Sequence, residues 1–270
     1  MDVSKLIKDI YRKFKINNID KITELEQSLL KTYLLYNNVD NNTYILDDYD
    51  DYNKEIVKYV LDKMDTPFTI SLLSEMFELL IPHTEKKRKG AVYTGDFIIR
   101  YIVDKVVINK QMPYICDPSC GCGSFLIYVA QFCHKKYSLS YEKIFSDYIY
   151  GVDIDENAIR RSKILFSLLF IENNEPVPTS FNLIHGNMLN TEVFNKLTRN
   201  GTLKFNCVIG NPPYVRAKNM EDDSKQYLSS WKSSANGNVD LYMPFYEIGL
   251  QLLSDDGILG YISPYSVKPT

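Results

Sequence analysis

Two hydrophobic rhythms divide this chain. Over residues 1–90 apolar positions return at helical spacing. Leu6, Ile7, Ile10, Tyr11 and Phe14 form one stripe, and Ile22, Leu25, Leu29, Leu30 and Tyr33 form a second. The Asn- and Asp-rich stretch Asn37 to Asp51 predicts a loop. Two further helices are predicted near 53–64 and 69–81, the second closed by Pro82. From about residue 110 the rhythm changes to short apolar runs that end in turn residues and alternate with amphipathic stretches. The runs are Tyr114 to Cys116, Tyr148 to Val152, Phe181 to Ile184, Cys207 to Ile209 and Ile258 to Ile262. Strand and helix signals in alternation predict a parallel sheet covered on both faces. The fold class expected is α/β: an N-terminal helical region over 1–90, then a doubly covered sheet domain over 91–270. The polar stretch from Arg216 to Asn238 reads as a long surface loop, and loops of that length are often functional.

Composition narrows the picture in three ways. At 270 residues with 45% apolar content, the chain is long enough to bury a sizeable core. A formal net charge of −3 excludes a small basic nucleic-acid module, though a local basic face suffices for phosphate contact. No uncharged apolar run has the length of a membrane span, and the amphipathic start MDVSKLIKDIYRKF is not a signal peptide. Five cysteines, an odd number, argue against a disulfide framework and for a reducing, cytoplasmic setting.

Candidate chemistry begins after the first strand, at Asp117-Pro118-Ser119-Cys120-Gly121-Cys122-Gly123-Ser124-Phe125, which precedes the apolar helix from Leu126 to Phe132. Ligands of open parallel sheets sit at the carboxyl ends of strands, where strand order switches. Gly121 and Gly123 permit a tight turn and close approach of the backbone to a ligand, and Asp117 can accept hydrogen bonds from a cationic amine. At the end of the next strand stands Gly151-Val152-Asp153-Ile154-Asp155. An acid in that place can hold both ribose hydroxyls of a nucleoside cofactor. Cys116, Cys120 and Cys122 match no zinc spacing, and His83, His134 and His185 stand apart from them, so no metal is expected.

A second site follows the fourth strand. Asn211-Pro212-Pro213-Tyr214 is a rigid turn, because each proline fixes its own φ and restricts its predecessor. It offers an amide, a backbone carbonyl and an aromatic face, a set suited to a flat ring bearing an amino group. The Asn211 Oδ1 and the Pro212 carbonyl can accept the two amino hydrogens, and Tyr214 can stack on the ring, worth about 1–3 kcal/mol per base.

Taken together, these residues resemble the adenine-N6-specific DNA methyltransferases of restriction–modification systems, in the arrangement that places the cofactor motifs first. The likeness covers roughly residues 88 to 266. Gly90-Ala91-Val92-Tyr93-Thr94 resembles the segment capping the methionine end of S-adenosylmethionine, and Asp117 to Phe125 resembles the cofactor loop. Asp153, with Ile154 beside it, resembles the ribose-binding acid. Asn211 to Tyr214, continuing into Val215-Arg216, resembles the catalytic motif. Asp240 to Leu253 and Gly257 to Pro264 resemble the helix and fifth strand that follow. Asn187, before Met188, stands where the family often has an aspartate for the cofactor's adenine, and Gly95 stands where it usually has proline. The resemblance implies a Rossmann-like sheet, S-adenosylmethionine as cofactor, and double-stranded DNA as partner. It implies direct methyl transfer to the N6 of a flipped-out adenine. The run Lys86-Lys87-Arg88-Lys89 is either a solvated loop or a phosphate contact.

Two rivals remain at this point. Protein-glutamine methyltransferases also use Asn-Pro-Pro-Tyr behind a helical domain, although Tyr93-Thr94, Asp117 to Cys120 and Tyr214-Val215-Arg216 count against them. The other rival is an inactive fragment, or a subunit that needs a second polypeptide. The family fold calls for two more strands and a DNA-recognition domain after the fifth strand, and the sequence ends at Thr270.

Overall fold

The computed structural model describes residues 2–39, 51–81, 90, 94–108, 111–216, 219–220, 222–234 and 240–263. Pro82, His83, the run Lys86 to Lys89, Tyr93 and most of the stretch Asn37 to Asp51 lie outside the described residues.

Four helices open the chain, each started by a polar side chain that satisfies a backbone N–H of the first turn. Asp2 accepts from Lys5 N ahead of α1 (Val3–Phe14), and Asn18 accepts from Lys21 N ahead of α2 (Ile19–Tyr36). Asn53 accepts from Glu55 N and Ile56 N ahead of α3 (Lys54–Lys63), and Thr69 accepts from Leu72 N ahead of α4 (Ile70–Leu79). The stripe read from the sequence is the buried face: Leu6, Ile7, Ile10, Leu25, Leu29, Leu30 and Tyr33 are all buried.

After α5 (Asp96–Val106) come β1 (Ile115–Asp117), α6 (Ser124–Tyr137), β2 (Ile149–Asp153), α7 (Glu156–Glu172) and β3 (Leu183–His185). Then follow α8 (Thr191–Leu197), β4 (Phe205–Gly210), α9 (Tyr242–Leu252) and β5 (Leu253–Tyr261). The five strands form one parallel sheet in the order β3-β2-β1-β4-β5, which bears out the expected α/β class. The chain builds outward from β1 to β3, then returns to the other side of β1 with β4. The switch point therefore lies between the carboxyl ends of β1 and β4.

Side chains alternate between two cores, as a two-residue period requires. Ile115, Cys207 and Ile209 join the core that includes α1 to α7, whereas Cys116 and Val208 join Phe245, Ile248 and Trp231 on the opposite face, and Phe205 joins these too because the register shifts between it and Cys207. The N-terminal helices thus share one continuous core with one face of the sheet. Buried polar groups fasten the junction. Arg161 Nε donates to Glu26 Oε2 at 2.7 Å and its Nη1 donates to the Phe77 carbonyl at 3.3 Å. Arg160 Nη2 lies 2.6 Å from the other oxygen of Glu26. The Tyr33 hydroxyl donates to Glu172 on α7.

Two expectations need correction. The fifth strand begins at Leu253, earlier than the apolar run from Ile258, because Leu253 pairs with Phe205 before the polar residues Ser254 to Gly257 bulge out and Ile258 pairs with Cys207. The described part of the stretch Arg216 to Asn238 is not simply a surface loop. Met220 and Trp231 are buried in the second core, and Trp231 Nε1 donates to the Leu189 carbonyl at 2.9 Å. Met220 and Trp231, with Tyr227 and Leu228 packed beside them, supply the apolar area that draws an otherwise polar segment down onto the sheet.

Candidate active site

The carboxyl end of β1 leads directly into the glycine turn. Gly123 has φ +83° and caps α6 without a side chain, and a Cβ there would come within 2.8 Å of the Phe166 ring. Gly121 N donates to Asp153 Oδ2 at 2.7 Å, so the turn is held against the end of β2. The second oxygen of Asp153 accepts from Asp155 N at 2.8 Å, and Ser162 Oγ donates to the Gly121 carbonyl at 2.9 Å. On the other side of β1, Gly210 has φ +145°, and a Cβ on it would lie 2.5 Å from Asp117 Oδ1. The ends of β1 and β4 come together only because residue 210 has no side chain.

Asn211, which follows Gly210, donates from Nδ2 to Thr94 Oγ1 at 3.1 Å. This bond sets the rotation of the amide and ties the fourth strand to the segment before α5. A second tie runs from Tyr214 N to the Gly90 carbonyl at 3.3 Å. The Tyr214 hydroxyl donates to the Ile262 carbonyl at 2.9 Å, and its ring lies 6.2 Å from that of Tyr242. Partial burial pushes the Tyr214 phenol up to about 12, so it is neutral at any physiological pH.

These parts enclose a cavity of about 150 Å³. Of the residues singled out in the sequence, Thr94, Asp117, Pro118, Gly121 and Phe125 line it, as do Asp153, Ile154, Asn187 and Met188. Asn211 and Pro213 line it as well. Gly123, Pro212 and Tyr214 stand next to lining residues but outside the lining itself, and Tyr93 lies outside the described residues. The Asn187 Oδ1 accepts from Leu189 N at 3.0 Å and its Nδ2 donates to Ser224 Oγ at 3.0 Å.

Several lining residues escaped sequence reading. Glu78 comes from α4, Ser119 and Ser124 from the glycine turn, and Leu241 and Phe245 from the start of α9. Met220 and Ser224 come from the stretch read as loop. The two serines lay inside a motif already under suspicion. Glu78 carried no signal beyond being one acid on an amphipathic helix.

Burial dominates the electrostatics. Asp117 is 1% exposed, and its carboxyl is pushed up to about 8, chiefly by burial, with Asp153 and Glu78 adding to the rise and Ser119 opposing it. Burial likewise raises the thiols of Cys120 and Cys122, which argues against thiolate chemistry at the turn. All five cysteines are free and buried. His134 stacks on Tyr141, and His185 Nε2 lies 3.2 Å from the Ile154 carbonyl. Among the described residues no helix is long and apolar enough to cross a membrane.

Comparison with known proteins agrees with the motif reading. Residues 147–268 match the model of the Eco57I restriction-modification methylase family. Over 215 residues the chain is 26% identical to the type II restriction enzyme and methyltransferase RM.Eco57I of Escherichia coli, covering 62% of this chain and 21% of that protein. Among solved structures, the DrdV–DNA complex aligns over 90% of this chain and 30% of its own, with a TM-score of 0.56 and 15% identity. A protein of Listeria monocytogenes assigned to the class I S-adenosylmethionine-dependent methyltransferases aligns over 92% of this chain and 75% of its own, with a TM-score of 0.51 and 19% identity. The chain spans about a fifth of the length of the Escherichia coli relative. The resemblance drawn from the motifs is borne out, and the fold is that of the methyltransferase neighbours.

Proposed function

We propose, from the premise of a restriction–modification methylase core, that this chain transfers a methyl group from S-adenosylmethionine to the N6 of adenine in double-stranded DNA. One observation carries the reading: the Gly121 turn with Asp153 and the amide of Asn211 open onto the same cavity at the switch point of the sheet. The cavity wall suits the cofactor's chemistry. Asp153 is an acid at a strand end, as ribose recognition requires, and Ile154, 39% exposed, gives an apolar surface for a base. Asn187 and Met188 line the same cavity, and in this reading they meet the adenine of the cofactor.

The cofactor supplies an electrophilic methyl on a sulfonium. The protein's part is to present and polarise the amine. Asn211 Oδ1 and the Pro212 carbonyl accept the two amino hydrogens of the target base. That favours a pyramidal nitrogen with its lone pair available, and stabilises positive charge as it develops. An amide cannot act as a strong base, and none is needed, since the methylated ammonium is very acidic. Thr94, by fixing the Asn211 amide from the other side, keeps the acceptor aimed before the base arrives. Tyr214 stacks on the base, which must leave the duplex to reach the site.

The likeness to a restriction enzyme and methyltransferase, and to a fold solved in complex with DNA, supports nucleic acid over a protein-glutamine substrate. With a net charge of −3, the phosphate-contacting surface is a local one or belongs to a further domain or polypeptide. The setting we assign is the cytoplasm. The test is Asn211→Ala in an assembly that methylates DNA. Transfer of labelled methyl to adenine should fall by about 100-fold or more, while affinity for S-adenosylhomocysteine should stay within about twofold. A variant that still methylates normally would remove Asn211 from the chemistry.

A further inference from the structure

The cavity wall has a member from outside the sheet. Glu78 lies in the last turn of α4, in the N-terminal helical region, and its side chain lines the same cavity as Asp117 and the glycine turn. Its position is fixed from both ends. At the tip, Glu78 Oε1 accepts from Ser124 Oγ at 2.5 Å, and Ser124 is the first residue of α6, directly after the turn. Ser74, one turn earlier on α4, lies 2.9 Å from the same hydroxyl. At the backbone, the carbonyl of the preceding residue, Phe77, accepts from Arg161, whose guanidinium is itself held by Glu26. A half-buried carboxylate is thus held at the cavity by two independent anchors.

Location and chemistry together suggest what it meets. Asp153, at the far side of the glycine turn, has its carboxylate across Gly121 N and Asp155 N and belongs to the nucleoside end. Glu78 is bonded instead to Ser124, at the other end of the turn from the Gly121 that Asp153 holds, and it shares the cavity wall with Thr94, at the segment resembling the methionine-end cap. Of the two cationic groups on S-adenosylmethionine, the sulfonium has no hydrogen to donate, whereas the α-ammonium has three. A carboxylate is an acceptor only, and its bond to an ammonium is charge-assisted. No lysine or arginine of the described residues lines the cavity, so its wall suits a ligand end bearing positive charge.

We propose that Glu78 is a cofactor-binding residue that recognises the α-ammonium of S-adenosylmethionine, so that the helical region forms one wall of the cofactor site. This rests on the cofactor reading above and extends it to a residue outside the motifs. The helical region is then part of the catalytic unit, and the ion pair between Arg161 and Glu26 is what holds its contribution in register.

The experiment compares two probes by calorimetry. S-adenosylhomocysteine has the amino-acid end, and 5′-methylthioadenosine is the same nucleoside without it. Glu78→Gln keeps the acceptor for Ser124 and removes the charge, so the fold is preserved. It should weaken S-adenosylhomocysteine about tenfold or more and change 5′-methylthioadenosine less than about twofold. Asp153→Asn, as the control at the nucleoside end, should weaken both. Equal loss for both probes in Glu78→Gln, no loss for either, or tighter binding of S-adenosylhomocysteine overturns the assignment while leaving the cofactor reading intact. A wild-type chain that binds neither probe overturns the cofactor reading itself, and Glu78's role with it.

Discussion

Two carboxylates in this protein are each 1% exposed, and they are treated in opposite ways. Glu26, in the helical region, is met by two guanidinium groups, those of Arg160 and Arg161. Asp117, at the end of β1, accepts from Ser119 N and faces Asp153 and Glu78. Burying a charge is costly unless it is paired, and a group denied a partner shifts its proton equilibrium instead. Glu26 is therefore a fold device, since its desolvation is offset within the chain. Asp117 is a ligand device, whose offset waits for a cation from outside. The same contrast runs through the helix starts. The four N-terminal helices are capped by side chains, whereas α5 and α6 start beside the cavity at Gly95 and Gly123 without a side-chain cap; α7, which begins at the cavity-lining Asp155, keeps one.

The largest expected effect comes from breaking the paired carboxylate. Arg161→Ala leaves Glu26 buried with only the more exposed Arg160, and takes a donor from the Phe77 carbonyl. It should cost about 3–5 kcal/mol in denaturant unfolding, the range for removing one partner of a buried pair. A loss under about 1 kcal/mol would mean that the junction rests on apolar packing alone.

The lone carboxylate has the opposite signature, one of pH. The unfolded chain releases the Asp117 proton near 3.8 and the folded chain near 8. Between those values the folded state binds the proton more tightly, so rising pH favours unfolding, by at most about 1.4 kcal/mol per pH unit for one group. Asp117→Asn should remove that contribution. The stability of the variant relative to wild type, followed in the ligand-free protein from pH 4 to pH 8, should rise with pH. A flat difference would show that Asp117 titrates as an ordinary carboxylate.

The smallest effects test the caps. Thr69→Ala should cost about 1 kcal/mol, as for loss of a side-chain N-cap. Gly95 already has φ −65°, the value a proline ring imposes, and a Cβ there meets nothing within 4 Å. Gly95→Pro should thus stabilise by about 0.4–1 kcal/mol through the unfolded state. Thermal melts of the two variants moving in the same direction would dissolve the distinction between a capped and an uncapped helix start.

Much of this was legible in the residues. The helical stripes, the five apolar runs and the two motifs at strand ends each depend on neighbours close in sequence, and local spacing reports them. Asn187 shows where legibility thins. Its place before Met188 marked it for the cofactor's adenine, yet its Nδ2 donates to Ser224, a residue from a stretch that read as solvent-facing. Tyr227 and Trp231 were the available warnings that this stretch packs inward, but two aromatics in a polar run are too few to set a period.

By itself the sequence determined where helices and strands form, which turn is glycine-rich and which is locked by proline, because backbone sterics and hydrophobic periodicity act within a few residues. Tertiary structure alone decided which side chains share the cavity. Asn211 meets Thr94 across 117 positions, Glu78 meets Ser124 across 46, and Arg161 meets Glu26 across 135. Hydrogen bonds and charges act over a few ångströms of space and are indifferent to separation along the chain. One of the two acids on α4 therefore becomes a wall of the site only once the sheet has brought β1 and β4 together and α4 has packed against α6.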